Sequence, residues 1–505
     1  MNKPFQSKLI KSLAFITGLL VFTLNGFSMS GAEEKAPEIK IAPTIEFPTP
    51  EQSQIEQRKL IDQEESSDNK TTVRIQTAQP QNSLPFPKNR EAYREAQSWR
   101  TEEPDPVMIE VKNSSIDQFR QNNVDRYISE VVNIINANST NDFHKVKMIN
   151  DILCLTLKYD VKSYFSGDLP SQDYRIVLSK GLAVCEGFAN SFLKFCNVCG
   201  IKCRIAHGYA RGASTSLQTE AQVSKKTNHA WNIVTINGKD YLVDSCWNQG
   251  YLNGTENVIE YTTQWLFTYP ESFIYMHFPE YERDQLLEKP ISRQTFYSLP
   301  ALRAFFFDLV ESWNNELKSN VICDGYLEYD FTLVQENYDP HFSITIRDTE
   351  TSAPLEDTCY FFKMGLSSDA KLMLSFPKEG TYRISLFGKS NFLGEFYVRS
   401  TKGSSIKFPT TYSNYGLEKD GVLDSPIVDP LKKGDEVFFS VRTKGSEAYI
   451  LIDDSKKGNV NWNRLTEKDN GVFEGSILIP DSAGETASLC IKTDKYYTIA
   501  RFEIE

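Results

Sequence analysis

Cys185, His229 and Asp244 are the residues whose types and surroundings carry the clearest chemistry in this chain. Cys185 stands directly before a run in which Phe188, Phe192, Phe195 and Cys199 recur at helical spacing, and Gly200 follows where a left-handed C′ residue belongs. A thiol at a helix N-terminus gains thiolate character, because the unpaired amides of the first turn favour negative charge. Glu186 suits the same end of that helix. A thiolate so placed is a nucleophile, and it needs a base beside it.

A hairpin supplies the base and its partner. Asn237-Gly238 lies between apolar-rich runs and favours a two-residue type I′ turn. That turn pairs Ile236 with Lys239 and, counting outward, Trp231 with Asp244 and His229 with Cys246. His229 is then diagonal to Asp244 on one face, ~7–8 Å away at the backbone and closer between side chains. An imidazole–carboxylate hydrogen bond is within reach. Together the three residues make a thiol triad suited to acyl transfer, with the Cys185 backbone N–H as one oxyanion donor.

The local strings resemble a known family. Ala183-Val184-Cys185-Glu186-Gly187-Phe188-Ala189, His229-Ala230-Trp231-Asn232 and Val243-Asp244-Ser245-Cys246-Trp247 are similar to the core of the transglutaminase-like superfamily. Gly200-Ile201 and His207-Gly208-Tyr209 fit the strand after its catalytic helix, and Lys158-Tyr159-Asp160 extends the likeness upstream. Glu271 through Pro279 resembles the kyphoscoliosis peptidase branch, whose members carry immunoglobulin-like repeats after the core. The resemblance implies a papain-like fold with Cys185 as nucleophile, His229 as base and acid, and Asp244 as orienter. It also implies that Trp231 lines the cleft and Trp247 supports the turn after Asp244. Cys246 stands where the family often has Thr. Water as acceptor makes such a site a cysteine peptidase or amidase, and an amine makes it a cross-linking transglutaminase. Some members have lost the triad and act as binding proteins, so a silent adhesion or scaffold protein is the alternative in another class.

The elements that must hold these residues can be placed along the chain. Val124, Ile128, Val131 and Ile135 recur at helical spacing, and a second helical run spans Val146 to Leu157. A strand is expected over Arg204 to Tyr209 and a hairpin over about 229–246. Beyond about residue 300, alternating sets such as Phe342/Ile344/Ile346, Tyr382/Ile384/Leu386 and Val437/Phe439/Val441 read as strands of two β-sandwiches. The expected organisation is a signal peptide over 1–32, a disordered linker over 33–105, an α+β core over 106–290, and immunoglobulin-like β-sandwiches over 291–402 and 403–505.

Lys3, Lys8 and Lys11 precede the mostly apolar stretch Leu13–Phe27, and Ser30-Gly31-Ala32 offers a cleavage site. A secreted or periplasmic protein is expected, with an N-terminal membrane anchor as the alternative. A net charge of -12, with no Lys/Arg cluster, argues against nucleic acid. The expected partners are a protein or peptide substrate and a protein bound through the β-sandwiches. Nine cysteines leave at least one unpaired in an oxidising compartment. Cys323 and Cys359 are candidates for a disulfide within the first sandwich. Cys196, Cys199 and Cys203 have a metal-like spacing but no fourth partner at a familiar interval, so no metal and no cofactor is expected. His277 reads as a packing residue among aromatic neighbours.

Overall fold

The computed structural model describes residues 85–212, 226–253, 255–313, 318–334, 342–364, 368–389, 391–412, 421–454, 458–468 and 471–505. The export segment and most of the linker expected from the sequence lie outside these residues. Among the described residues, no helix is long and apolar enough to cross a membrane.

The linker's end needs correction, because residues 85–105 are packed. Ala96 is buried, Trp99 stacks on His144 at 4.3 Å, and Arg90 donates to the carbonyls of Phe307 and Val310 at 2.9 and 3.2 Å. Arg100 forms a bidentate pair with Asp308, at 3.0 and 2.7 Å. A few aromatic anchors and two arginines offset the ordering cost of a segment whose average composition is polar.

In the α+β core, a helix at Pro106–Asn113 precedes helix α1 (Val124–Asn138), whose Asn123 cap accepts from the Arg126 amide. Ile128, Val131 and Ile135 form its buried stripe. Helix α2 (Asp142–Thr156) starts a turn earlier than its apolar spacing suggests, because Asn141 caps it. It is buried on nearly all sides, which makes it the central helix. Helix α3 (Cys185–Cys199) ends at Gly200, whose φ of +74° is left-handed as expected.

Five strands form the core sheet: β1 (Lys202–Ala210), β2 (His229–Ile236), β3 (Lys239–Val243), β4 (Leu266–Thr268) and β5 (His277–Pro279). Their spatial order is β4-β3-β2-β1-β5, antiparallel throughout. Asn237 and Gly238 have φ of +52° and +79°, and Ile236 pairs with Lys239, so the hairpin has the expected turn and register. One apolar cluster joins α1, α2 and α3 to Val234, Ile236, Tyr241 and Val243. A second gathers Ala206, Trp231, Ile233, Trp265 and Phe273, and it is completed by Ala301 and Ala304 from the next domain.

Two units built mainly of strands follow, the first opening with short helices at Arg293–Ser298 and Ala304–Leu309. In the first, a sheet containing Ser343–Asp348, Gly380–Gly388 and Asn391–Ser400 shares one core with a sheet containing Tyr326–Leu333 and Asp369–Ser375. In the second, Glu436–Thr443 and Val472–Leu478 face Glu447–Asp454, Ala483–Lys492 and Tyr496–Glu503 across another core. Both are sandwiches, as the period-2 alternation requires. Cys323 and Cys359 are not joined: all nine cysteines are free. The Cys323 thiol instead lies 3.9 Å from Ser400 Oγ.

Candidate active site

Burial of α2 forces its polar residues to find partners, and those partners build the floor of the site. Lys147 pairs with Asp151 four residues on, and Asp151 also accepts from Tyr261 Oη at 2.6 Å and the Asp105 amide at 2.7 Å. Asn150 Oδ1 accepts from Ser245 Oγ at 2.9 Å and Asn248 Nδ2 at 3.0 Å. Both donors sit on α4 (Ser245–Gln249), the short helix that Asp244 caps. Asn150→Leu strands two buried donors, so it is expected to lower unfolding free energy by about 2–4 kcal/mol. Chemical denaturation of the full chain checks this, and a loss below about 0.5 kcal/mol would show that the network does not anchor α4.

Asp244 leaves the hairpin ladder, which ends at the Asn232–Val243 pair. Its amide donates to Trp265 O at 2.9 Å, and its Oδ1 accepts the Trp247 amide at 3.1 Å. The expected pairing of Cys246 with His229 therefore does not occur. Cys246 lies buried in α4, because the cap turns the chain from strand to helix one residue earlier.

His229 opens β2 opposite Gly208 of β1. A Cβ at Gly208 would come within 2.2 Å of Phe278 O and 2.6 Å of the Trp231 ring, so only glycine lets β5 and Trp231 close on the strand. His229 Nε2 meets Asp244 Oδ2 at 2.7 Å. The Cys185 thiol acts on the same ring, and with Nε2 taken by Asp244, Nδ1 is the nitrogen left for it. Burial alone would lower the proton affinity of His229. Asp244 and, after it, Cys185 override it and hold the imidazolium up to about 10. Burial pushes Asp244 up, but His229, followed by His277, takes it well below the usual carboxylate range.

Cys185 is the first residue of α3 and is partly exposed. The Val184 cap makes no side-chain hydrogen bond, and its amide is held by Gln172 Oε1 at 3.0 Å. Asn190 Nδ2 donates to Gln172 O at 3.1 Å, so Gln172 ties the helix entry to its second turn. Across the core, Asn232 Nδ2 donates to Ala189 O at 3.1 Å and fastens β2 to the same helix.

The remaining expected residues divide. Glu186, in the first turn of α3, pairs at the surface with His207 at 2.9 Å. Trp231 is 1% exposed, so it does not line an open cleft: its ring lies behind His229, at 6.1 Å, within the apolar cluster. Trp247 is partly exposed, 5.2 Å from the His229 ring, and its amide serves the turn at Asp244. Cys196 is fully buried, and burial, with the neighbouring Cys203 thiol, pushes its own thiol up.

The sequence reading missed what His277 does. The residue packs among aromatics, but its Nε2 also meets Asp244 Oδ2, at 3.0 Å. His229, Asp244 and His277 thus converge within 4.8 Å. Both Nε2 atoms address one carboxylate oxygen, which is the arrangement of two N–H donors on a shared acceptor. A second histidine near the hairpin in space carries no local sequence signal. In α2, the i, i+4 pair Lys147/Asp151 inside an apolar helix was the legible sign of the buried network.

Residues 129–245 match the transglutaminase-like superfamily core. Mouse kyphoscoliosis peptidase is 25% identical over 313 residues, covering 59% of this chain and 43% of its own. The human kyphoscoliosis peptidase is 26% identical over 342 residues, covering 63% and 47%. Hillarin of Drosophila melanogaster is 27% identical over 192 residues, covering 35% and 23%. The chain therefore carries a transglutaminase-like core and resembles the kyphoscoliosis peptidase branch, while spanning less than half the length of those relatives.

Proposed function

We propose that this chain is an exported thiol acyl-transfer enzyme that cleaves peptide or amide bonds through Cys185, His229 and Asp244. The observation that carries it is His229 bonded to Asp244 Oδ2 at 2.7 Å, with the Cys185 thiol at a helix start acting on the same ring. The Cys185 thiolate attacks the substrate carbonyl carbon, and the Cys185 amide stabilises the oxyanion. As the tetrahedral intermediate collapses, the C–N bond breaks and His229 gives its proton to the leaving amine. Water then attacks the thioester while His229 takes its proton, releasing the acid and restoring the thiol. Cys185 is partly exposed, and among the described residues the core shows no long inserted segment to wall a tunnel, which favours water over an amine as acceptor. The name peptidase borne by the mouse and human relatives points the same way. The two sandwiches, of immunoglobulin-like type in this reading, would hold a protein partner, and residues 1–32 would direct export.

The test begins with the thiols. Limiting iodoacetamide near neutral pH, read by mass spectrometry, should label Cys185 before the other eight cysteines. Peptide cleavage and incorporation of a labelled amine into a glutamine-containing protein are then measured side by side. Cys185-dependent cleavage supports the proposal. Amine incorporation without cleavage would make the chain a cross-linker, and an unreactive Cys185 with neither activity would leave a scaffold.

A further inference from the structure

We infer that His277 is a positioning residue of this site: it donates its Nε2–H to Asp244 Oδ2 and so fixes the carboxylate that holds His229. This rests on the reading of Cys185 as the nucleophile. His277 touches no substrate, being 0% exposed. It begins β5, where it pairs with Ala210 of β1.

Asp244 is itself 1% exposed, and three N–H groups address it: the Trp247 amide on Oδ1, and the His229 and His277 rings on Oδ2. With His229 alone on Oδ2, the carboxylate keeps a free lone pair there and can swing about its Cβ–Cγ bond. A second donor on the same oxygen removes that freedom. It also lowers the basicity of Oδ2, so the proton stays on His229.

The donor is itself held. The Phe273 ring stacks on His277 at 3.9 Å and 18°, and Trp247, Trp265 and Trp231 lie at 4.3, 4.9 and 5.3 Å. Among the described residues, the charged groups that act on it are Asp244, from the start of α4, and His229, from β2; the rings packed against it carry no charge. Burial lowers its proton affinity to about 4, against the pull of Asp244 and with the push of the His229 charge. It is therefore a neutral imidazole over the working range. Its Nε2 faces a carboxylate oxygen, so that nitrogen carries the hydrogen.

Packing alone does not require a histidine here, since a phenylalanine offers the same stacking ring. The test compares His277→Phe, which keeps the ring and removes the donor, with His277→Gln, which keeps an N–H donor. Cys185 alkylation by iodoacetamide is followed in the full chain from pH 5 to 9, with thermal melts alongside. His277→Phe is expected to slow alkylation at pH 7 by about 10–100-fold and to move the rate profile to higher pH, with His277→Gln recovering part of the loss. A folded His277→Phe chain that matches the wild-type rate and profile within about twofold would overturn the inference. Unfolding of both variants at assay temperature would also overturn it, leaving His277 a packing residue. If Cys185 of the wild-type chain is no faster than the other thiols, the proposed function itself fails, and this assignment with it.

Discussion

His229→Ala is expected to lower kcat for peptide or amide cleavage by about 10⁴–10⁶ with KM little changed, because it removes the group that, among the described residues, is placed to move protons at Cys185. The same variant should lose the preferential alkylation of Cys185. It carries a pH signature as well. The folded-state proton affinity of His229 is raised to about 10, so its favourable interactions are fully present below the ordinary imidazole value, near 6.5. They are lost as the pH rises through about 10. Wild-type unfolding free energy minus that of His229→Ala should therefore shrink between pH 7 and 10. A constant difference across that window would show that the imidazolium is not held by Asp244 and the thiolate.

Asp244→Ala is the second large effect. It leaves two buried imidazoles and the Trp247 amide without their acceptor, and removal of one partner from a buried charged pair costs about 3–5 kcal/mol. A kcat loss of about 10⁴ should accompany it, since the ring then lacks both its tautomer and its orientation. Asp244→Asn tests the geometry more finely. A carboxamide has one oxygen, whereas Asp244 uses Oδ2 for two rings and Oδ1 for an amide. If the amide nitrogen faces the rings, His229 must carry its hydrogen on Nδ1, the nitrogen that should receive the thiol proton. If it faces the other way, two N–H groups meet at Trp247. Asp244→Asn should therefore fall much closer to Asp244→Ala in activity than a simple orienting role predicts. Unimpaired turnover by either variant would remove Asp244 from the site.

The sequence revealed the hairpin because Asn237-Gly238 specifies both turn and register, and register decides which side chains meet. It revealed Cys185 because helix periodicity and Gly200 bracket α3. Trp231 was misplaced for a physical reason. Alternation along β2 shows that it shares a side with His229, but not that Trp265, Phe273 and Ala301 cover that side. Cys246 was misplaced because counting outward along a hairpin assumes that the ladder continues, whereas Asp244 spends its carboxylate on a helix cap. His277 lies 33 residues from its partner Asp244, and no periodicity links the two. The packed stretch 85–105 was missed because composition averages away a few anchors such as Trp99 and Arg100.

The apolar cluster behind His229 includes Ala301 and Ala304, which belong to the following domain rather than to the core. Arg90 and Arg100, ahead of the core, are likewise bonded to Phe307, Val310 and Asp308. For recombination between genes, this means that the core is not a portable module. A crossover near residue 290 would separate the wall of the reaction site from its backing and expose the Trp265 and Phe273 rings. The smallest heritable unit that keeps the site intact runs from the packed stretch at 85 through the first sandwich, and the second sandwich is tied to that unit in turn, since Phe361 and Met373 of the first lie in its core.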